Sequence, residues 1–429
     1  MEFLKFMFYS KLTHREKITF KAHFVFSIFE GLVFGTSLLN EFVFLRSLKG
    51  TDFLVGLLFL LSMVVYITLI IFNEITRRIS DKKKLIRITA LLTRLPLLLF
   101  LIFPNVVNTS NAGLLHFSFL GILFFYYLGT AITLPTINLL LKHNYRNNNF
   151  GKLYGYATTA NKIAALLATM LFGFMLDNNY FAFKWVYPVI GILGVVGYFA
   201  LSSIPFKSEV QTVKDKLLRS IKNSFRRMIL ILKTDKPFLH FQMAYFSYGI
   251  AFMITATVIT FFLESYLSLS YSVISGYKTM AGIVTVLVLP MLGILMDKID
   301  QRKFGSIMFV SMLLYVIGIM LTQFFTFKFM IADNEVYLLL ILAFVFMGIF
   351  NAAGALSWNV SSAYFSNDLN KVSDYQAVHI TLTGIRSLFA PLGVVVYKLF
   401  DFTYTFAISI VFLILALLIL RFSQKHKYN

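Results

Sequence analysis

The sequence predicts an all-α polytopic membrane protein, with twelve helices crossing a bilayer as two pseudo-symmetric six-helix bundles. Three observations predict it. Of 429 residues, 58% are apolar and only 14% charged, with a mean hydropathy of +0.78, against about 45–50% and about 25% in soluble domains. Apolar runs of the roughly 20 residues needed to cross ~30 Å of hydrocarbon recur twelve times. One long polar interval divides these runs six and six. Such a composition excludes a water-soluble enzyme, a disordered chain and a coiled coil. The absence of cysteine removes disulfides, thiolate metal sites and thiol nucleophiles.

In order, the runs lie near 24–45, 53–72, 85–104, 113–141, 153–176 and 185–205, then 238–263, 271–296, 304–326, 336–362, 375–397 and 402–420. Each is long and predominantly apolar, as a membrane helix must be. Ile408 to Leu420 is apolar at every position but Ser409, which excludes the period-two alternation of a membrane barrel. Ahead of the first run, Phe3 to Tyr9 form an apolar patch interrupted by Lys5. It reads as an interfacial helix rather than a signal peptide. The polar interval 206–237 holds nine basic residues, and Val213, Leu217, Ile221, Phe225, Met228 and Leu232 recur at helical spacing. That pattern predicts an amphipathic helix on an anionic leaflet, linking a bundle over 1–205 to one over 238–429.

The 39 Lys and Arg residues orient the bundle. With the N-terminus cytoplasmic, 30 fall in cytoplasmic segments, five in outer loops and four inside spans. Basic short loops stay on the cytoplasmic side, so both termini are expected inside a plasma (inner) membrane. The net charge of +20 is thereby accounted for without nucleic acid.

The halves carry traces of duplication. Asn138 and Tyr154 match Asn359 and Tyr375 at a constant offset of 221, and both pairs flank the loop between the fourth and fifth spans of their half. After the second span of each half comes a short basic loop, Arg77-Arg-Ile-Ser-Asp81-Lys-Lys83 in one and Asp297-Lys-Ile-Asp300-Gln-Arg302-Lys303 in the other. With the preceding Gly293, the second loop resembles the G-x-x-x-D-R-x-G-R-K signature of the major facilitator superfamily. The stretch Tyr375 to His379, through Arg386 to Pro391-Leu-Gly393, is similar to the eleventh span of bacterial members. The resemblance implies the fold of that superfamily and secondary transport. It also implies that Gly293, Asp297 and Arg302 form a latch for the outward-facing state. Asp300 and Gln301 depart from the signature, and Arg77 stands where the first loop's acid belongs, so a symmetric pair of latches is not expected.

Charges inside a bilayer cost about 2.5–3.5 kcal/mol each on insertion scales and face a partner or a cavity. They are Glu30, Glu41, Arg94, Lys162, Lys278, His379 and Arg386. Lys162 and Arg386 lie nearest mid-span. Either they anchor a carboxylate or phosphate, the arginine gripping it bidentately, or they pair with Glu30 in a network joining the halves. Asn161, Asn138, Asn359, Trp358 and Tyr245 are expected to complete a substrate pocket, with Tyr154 and Gln242 near it. Glu30 and His379 are the candidates for proton coupling, since each can change charge as its surroundings alternate. Glu41 and Glu264 are expected to reach headgroups, and Arg94 has no assignable partner.

The expected function is secondary active transport of a small solute by alternating access, with an anionic organic cargo and proton symport as the favoured elaboration. No phosphate-cradling G-x-x-x-x-G-K-[ST] loop is present. No cofactor or metal is called for, and the protein is expected to act as a monomer with its substrate, protons or another coupling ion, and the bilayer. A lipid flippase or scramblase of the same fold is the alternative. A polytopic membrane enzyme ranks lower, because the seven histidines are scattered and form no H-E-x-x-H motif.

Overall fold

A computed structural model describes residues 12–206, 216–296, 298–331, 334–360, 365 and 372–425. The apolar patch at residues 3–9 and Asp297 therefore lie outside the described residues. The first helix, α1 (His14–Ser37), starts ten residues before its apolar run. Thr13 and Glu16 form a reciprocal capping box there, which satisfies two of the backbone donors left open at a helix start. A short turn of helix (Asn40–Phe42) and a π turn (Val43–Ser47) extend it.

The second apolar run is two helices, α2 (Asp52–Val64) and α3 (Leu69–Arg78), separated by turns. Next comes α4 (Lys82–Arg94), which tightens into a 3₁₀ segment over Leu95–Ile102. Pro96 has no N–H to continue the α-helical ladder. The long α5 (Thr109–Asn144), α6 (Asn147–Asn178) and α7 (Phe183–Ser202) follow. The basic interval is helical over α8 (Leu217–Thr234). Beyond it come α9 (Lys236–Phe261) with a π turn to Tyr266, α10 (Tyr271–Met296) and α11 (Gln301–Leu321). A hairpin of β1 (Lys328–Ile331) and β2 (Asn334–Tyr337) leads to α12 (Leu338–Val360), α13 (Val372–Arg386) and α14 (Ala390–Lys425).

Ten described helices are long and apolar enough to span, the last being one stretch from Asp374 to Lys425. That stretch reverses at Asp401, whose φ of 78° leaves the helical region. Before the break Gly393 packs on Ile254 and Tyr397 on Phe261, in the direction of α9. After it Phe406 lies near Phe262, Ser409 reaches the Ala251 carbonyl and Ser247 reaches that of Phe412, in the opposite direction. The stretch therefore crosses twice. With α2 and α3 as one broken crossing, the crossings among the described residues number twelve.

The chain's two described ends share one end of the bundle, here the terminal end. Arg15 Nε donates to Asn144 Oδ1 (2.5 Å), Glu16 Oε1 accepts from the Arg146 N–H (3.1 Å), and Arg302 Nη1 donates to the Ser423 carbonyl (2.6 Å). Helix α8 lies at this end too. Ser220 donates to Glu74 (2.9 Å) and Arg227 pairs with Asp374 (3.2 Å). The hairpin marks the opposite, distal end.

Small residues let the helices touch. Gly31 and Gly35 bring α1 under the Asn161 and Ala165 carbonyls of α6, and Thr169 Oγ1 donates to the Gly35 carbonyl at 2.8 Å. A Cβ at either glycine would overlap those carbonyls. In hydrocarbon such close packing and interhelical hydrogen bonding take the place of a hydrophobic driving force.

Candidate functional site

The intramembrane charges sort into paired and unpaired groups. Arg94 is completely buried, and its Nη2 donates to Glu30 Oε1 at 2.5 Å. The same guanidinium sits 4.2 Å from the Tyr126 ring centre and donates to the Tyr198 hydroxyl at 3.3 Å. Gly194 on α7 leaves room for the Arg94 side chain, and Gly191 for its backbone carbonyl and Leu97. The network proposed for Glu30 with Lys162 and Arg386 is thus not formed, because Arg94 holds the carboxylate instead. Opposite charges so placed offset much of their desolvation cost.

The distal end is sealed by pairs between helices on either side of α8. Lys278 binds Glu41 (2.6 Å) and the Leu38 carbonyl. Arg46 binds Glu264 (3.3 Å) and the Leu269 carbonyl (2.6 Å), and lies 4.7 Å from the Tyr271 ring centre. Glu41 and Glu264 therefore meet cations rather than headgroups. Asp177, at the end of α6, accepts the Tyr271 and Ser272 N–H groups at 2.7 and 2.6 Å. Those are open donors at the start of α10, where partial positive charge also favours a carboxylate. Lys398 adds a pair with Asp52 (3.1 Å).

Two intramembrane cations are left without a carboxylate. Lys162 is half-buried, 5.1 Å from the Phe34 ring centre, and has no hydrogen-bond or ion-pair partner among the described residues. Its position on α6 follows from spacing. Residues 162, 166 and 173 share one helical face, where Leu166 abuts Gly282 and Gly173 abuts Ser275 of α10. Lys162 thus faces the seam between the two sets of helices, one turn nearer the terminal end than the Leu166 contact. Its neighbour Asn161 donates to the Ser27 carbonyl (2.9 Å) and ties α6 to α1.

Arg386 is 2% exposed. Its Nη1 donates to the Tyr245 carbonyl and its Nη2 to Thr383 Oγ1, while Nε has no partner among the described residues. Around it Tyr245 meets Ser357 through its hydroxyl, and Gln242 Oε1 meets His379 Nδ1 at 3.2 Å. His379 Nε2 is buried without a partner. The structure joins Lys162 to Arg386 by no direct bond. They belong to different sets of helices.

The remaining sequence-predicted residues are dispersed. Trp358 accepts from Gln376 Nε2 at its carbonyl (2.7 Å), and its indole N–H is buried without a partner. Asn138 is exposed on α5, and the side chain of Asn359 lies outside the described residues. Arg302 pairs with Asp300 of its own loop (2.8 Å) and with Ser423. Arg302's side-chain hydrogen bond holds the Asp300 carboxyl below its ordinary range. Among the described residues, nothing lies within 4 Å of a Cβ placed at Gly293. Sequence reasoning missed Arg46 and Asp177. A signal existed for Arg46, which is one of only five basic residues in the outer loops.

A family model described as Major Facilitator Superfamily matches residues 22–333. Among solved structures, a point mutant of the nucleoside transporter NupG superposes with a TM-score of 0.72 at 12% identity, covering 95% of this chain and 100% of that one. A POT family transporter in complex with a thioalcohol-conjugated peptide gives 0.70 at 13%, covering 95% and 96%. A D-xylose-proton symporter gives 0.64 at 14%, covering 96% of each chain. No curated protein sequence matches this one.

Proposed function

Because the chain belongs to the Major Facilitator Superfamily and is a secondary transporter of that fold, we propose that its cargo is a small organic anion. Lys162 is its first anchor and Arg386 its second. The carrying observation is the imbalance of charge within the membrane. Glu30 compensates Arg94 and Glu41 compensates Lys278, whereas Lys162 and Arg386 have no carboxylate among the described residues. Uncompensated charge at such depth is costly, and a bound carboxylate or phosphate offsets that cost.

On this reading residues 1–205 and 238–429 rock about the seam, joined by 206–237, with both termini cytoplasmic in the plasma membrane. The distal seal corresponds to a state open toward the cytoplasm. Anion entry brings Lys162 toward the Arg386 cluster, and Asn138, Asn161, Tyr245, Trp358 and Asn359 shape the pocket around it. Glu30 takes and releases the coupling proton as its contact with Arg94 tightens and loosens, with His379 as a second acceptor. One solved neighbour is by its title a proton symporter, which supports proton coupling. Gly293, Asp297 and Arg302 latch the opposite state, and one protomer suffices for the cycle.

A thermal-shift series on purified protein tests the cargo class, since a ligand of the native state raises the melting temperature. Small carboxylates or organic phosphates should raise it in the wild type and not in Lys162→Gln. Equal shifts in both proteins, or shifts with neutral sugars alone, contradict the proposal.

A further inference from the structure

A groove of about 380 Å³ is lined by α9, Leu382 of α13 and α14, with Leu232 of α8. Leu239, Met243, Phe246 and Ile250 of α9 form one wall, and Leu415 and Ile419 of α14 the other. Leu232, near the end of α8, closes it at the terminal end. From Leu239 to Ile250 the groove follows α9 for roughly 16 Å at 1.5 Å per residue. That matches one leaflet of hydrocarbon, about 15 Å. Its walls are apolar except at Ser247, whose hydroxyl is committed to the Phe412 carbonyl, and at Gln242.

Gln242 is the feature that lipid tails alone leave unexplained. It is 3% exposed and lines the groove. Its Oε1 is engaged by His379 Nδ1, but its Nε2 donor has no partner among the described residues. A buried donor left unmade costs about 1–3 kcal/mol. Basic residues flank the groove's terminal end: Lys233 follows Leu232, Lys236 opens α9, and Arg421 lies two residues beyond Ile419, all three exposed. Asp235, which lies between those two lysines in sequence, accepts from the Phe238 N–H and the Tyr375 hydroxyl.

We propose that this groove binds one anionic phospholipid of the leaflet at the terminal end. An acyl chain lies along α9, an ester carbonyl accepts the Gln242 Nε2–H, and the phosphate rests on Lys233, Lys236 and Arg421. The groove adjoins the Arg386 cluster through Gln242, but its lipid stands whether or not the cargo is an anion. Because Gln242 also holds His379, an occupied groove fixes the amide on which that imidazole depends.

Native mass spectrometry of the delipidated full chain tests this, using phosphatidylglycerol and phosphatidylcholine of identical chains. Phosphatidylglycerol should remain as a single adduct under activation that strips phosphatidylcholine. Glycerol 3-phosphate, a headgroup without chains, should not bind. Leu415→Trp fills the groove and should weaken phosphatidylglycerol at least tenfold. The double variant Lys233→Gln/Lys236→Gln, whose changes are on the surface, should erase the preference between the lipids even if the tryptophan variant fails to fold. Equal retention of both lipids by the wild type overturns the proposal. So does undiminished phosphatidylglycerol binding in folded Leu415→Trp, or a second copy of the chain on this face that phosphatidylglycerol does not displace.

Discussion

Removing the charge of Glu30 leaves the Arg94 guanidinium, which is completely buried, without its carboxylate. Two unit charges about 4 Å apart attract by about 4 kcal/mol at an effective dielectric near 20. Breaking one side of a buried pair costs about 3–5 kcal/mol. Glu30 keeps 19% of its side chain exposed, and glutamine retains an acceptor for Nη2, so Glu30→Gln belongs at the low end, near ~3 kcal/mol. Arg94→Met removes the buried cation but strands Glu30, at a similar cost. In Glu30→Gln/Arg94→Met neither charge remains, and replacing a buried pair by neutral groups is often nearly free. The cycle should therefore show a coupling of about 5–6 kcal/mol, the two single costs of ~3 less a double cost near zero, read from denaturant unfolding in detergent and checked by melting temperatures. Single effects that add within about 0.5 kcal/mol, as distant independent sites do, refute the pairing.

The distal seal and the basic loop give two further predictions. Asp177→Ala removes a carboxylate from the start of α10, worth up to ~2 kcal/mol in a partly buried setting, which shifts a two-state equilibrium about thirtyfold. The chain has no cysteine, so Ser275→Cys, buried against Gly173, is a clean reporter. Its labelling by a water-soluble maleimide should accelerate at least tenfold in the Asp177→Ala background, and an unchanged rate contradicts the gate. For Asp300, the folded-state carboxyl titrates below its ordinary range because Arg302 bonds it. Its stabilisation is thus present above the unfolded pKa and lost as pH falls through the folded value. Arg302→Gln should flatten the acid limb of a melting-temperature profile below about pH 4, and an identical limb rules the contact out.

Sequence patterning makes the spans legible because hydropathy over about 20 residues is a local property. Departures occur where a local break or a distant partner decides. The second run is interrupted at residues 65–68 with no proline or glycine to announce it. The turn at Asp401 is implied only by the need to fit two spans, and the 328–337 hairpin falls across the loop between the runs ending at 326 and starting at 336 with no pattern that announces strands. Lys162, Arg386, Glu30 and Arg94 are each visible as charges out of place. Which of them pair is not, because Arg94 reaches Glu30 across 64 residues and Lys278 reaches Glu41 across 237. Asp177 gives no signal, since an acid at a helix end is ordinary until another helix starts beside it.

Uptake into proteoliposomes tests the charge imbalance at the seam most directly. With an inward proton gradient, wild-type protein should accumulate a small organic anion, while Lys162→Met and Arg386→Met insert normally and lose that uptake, Lys162→Arg retaining part of it. Anion uptake at the wild-type rate in both methionine variants would contradict the account.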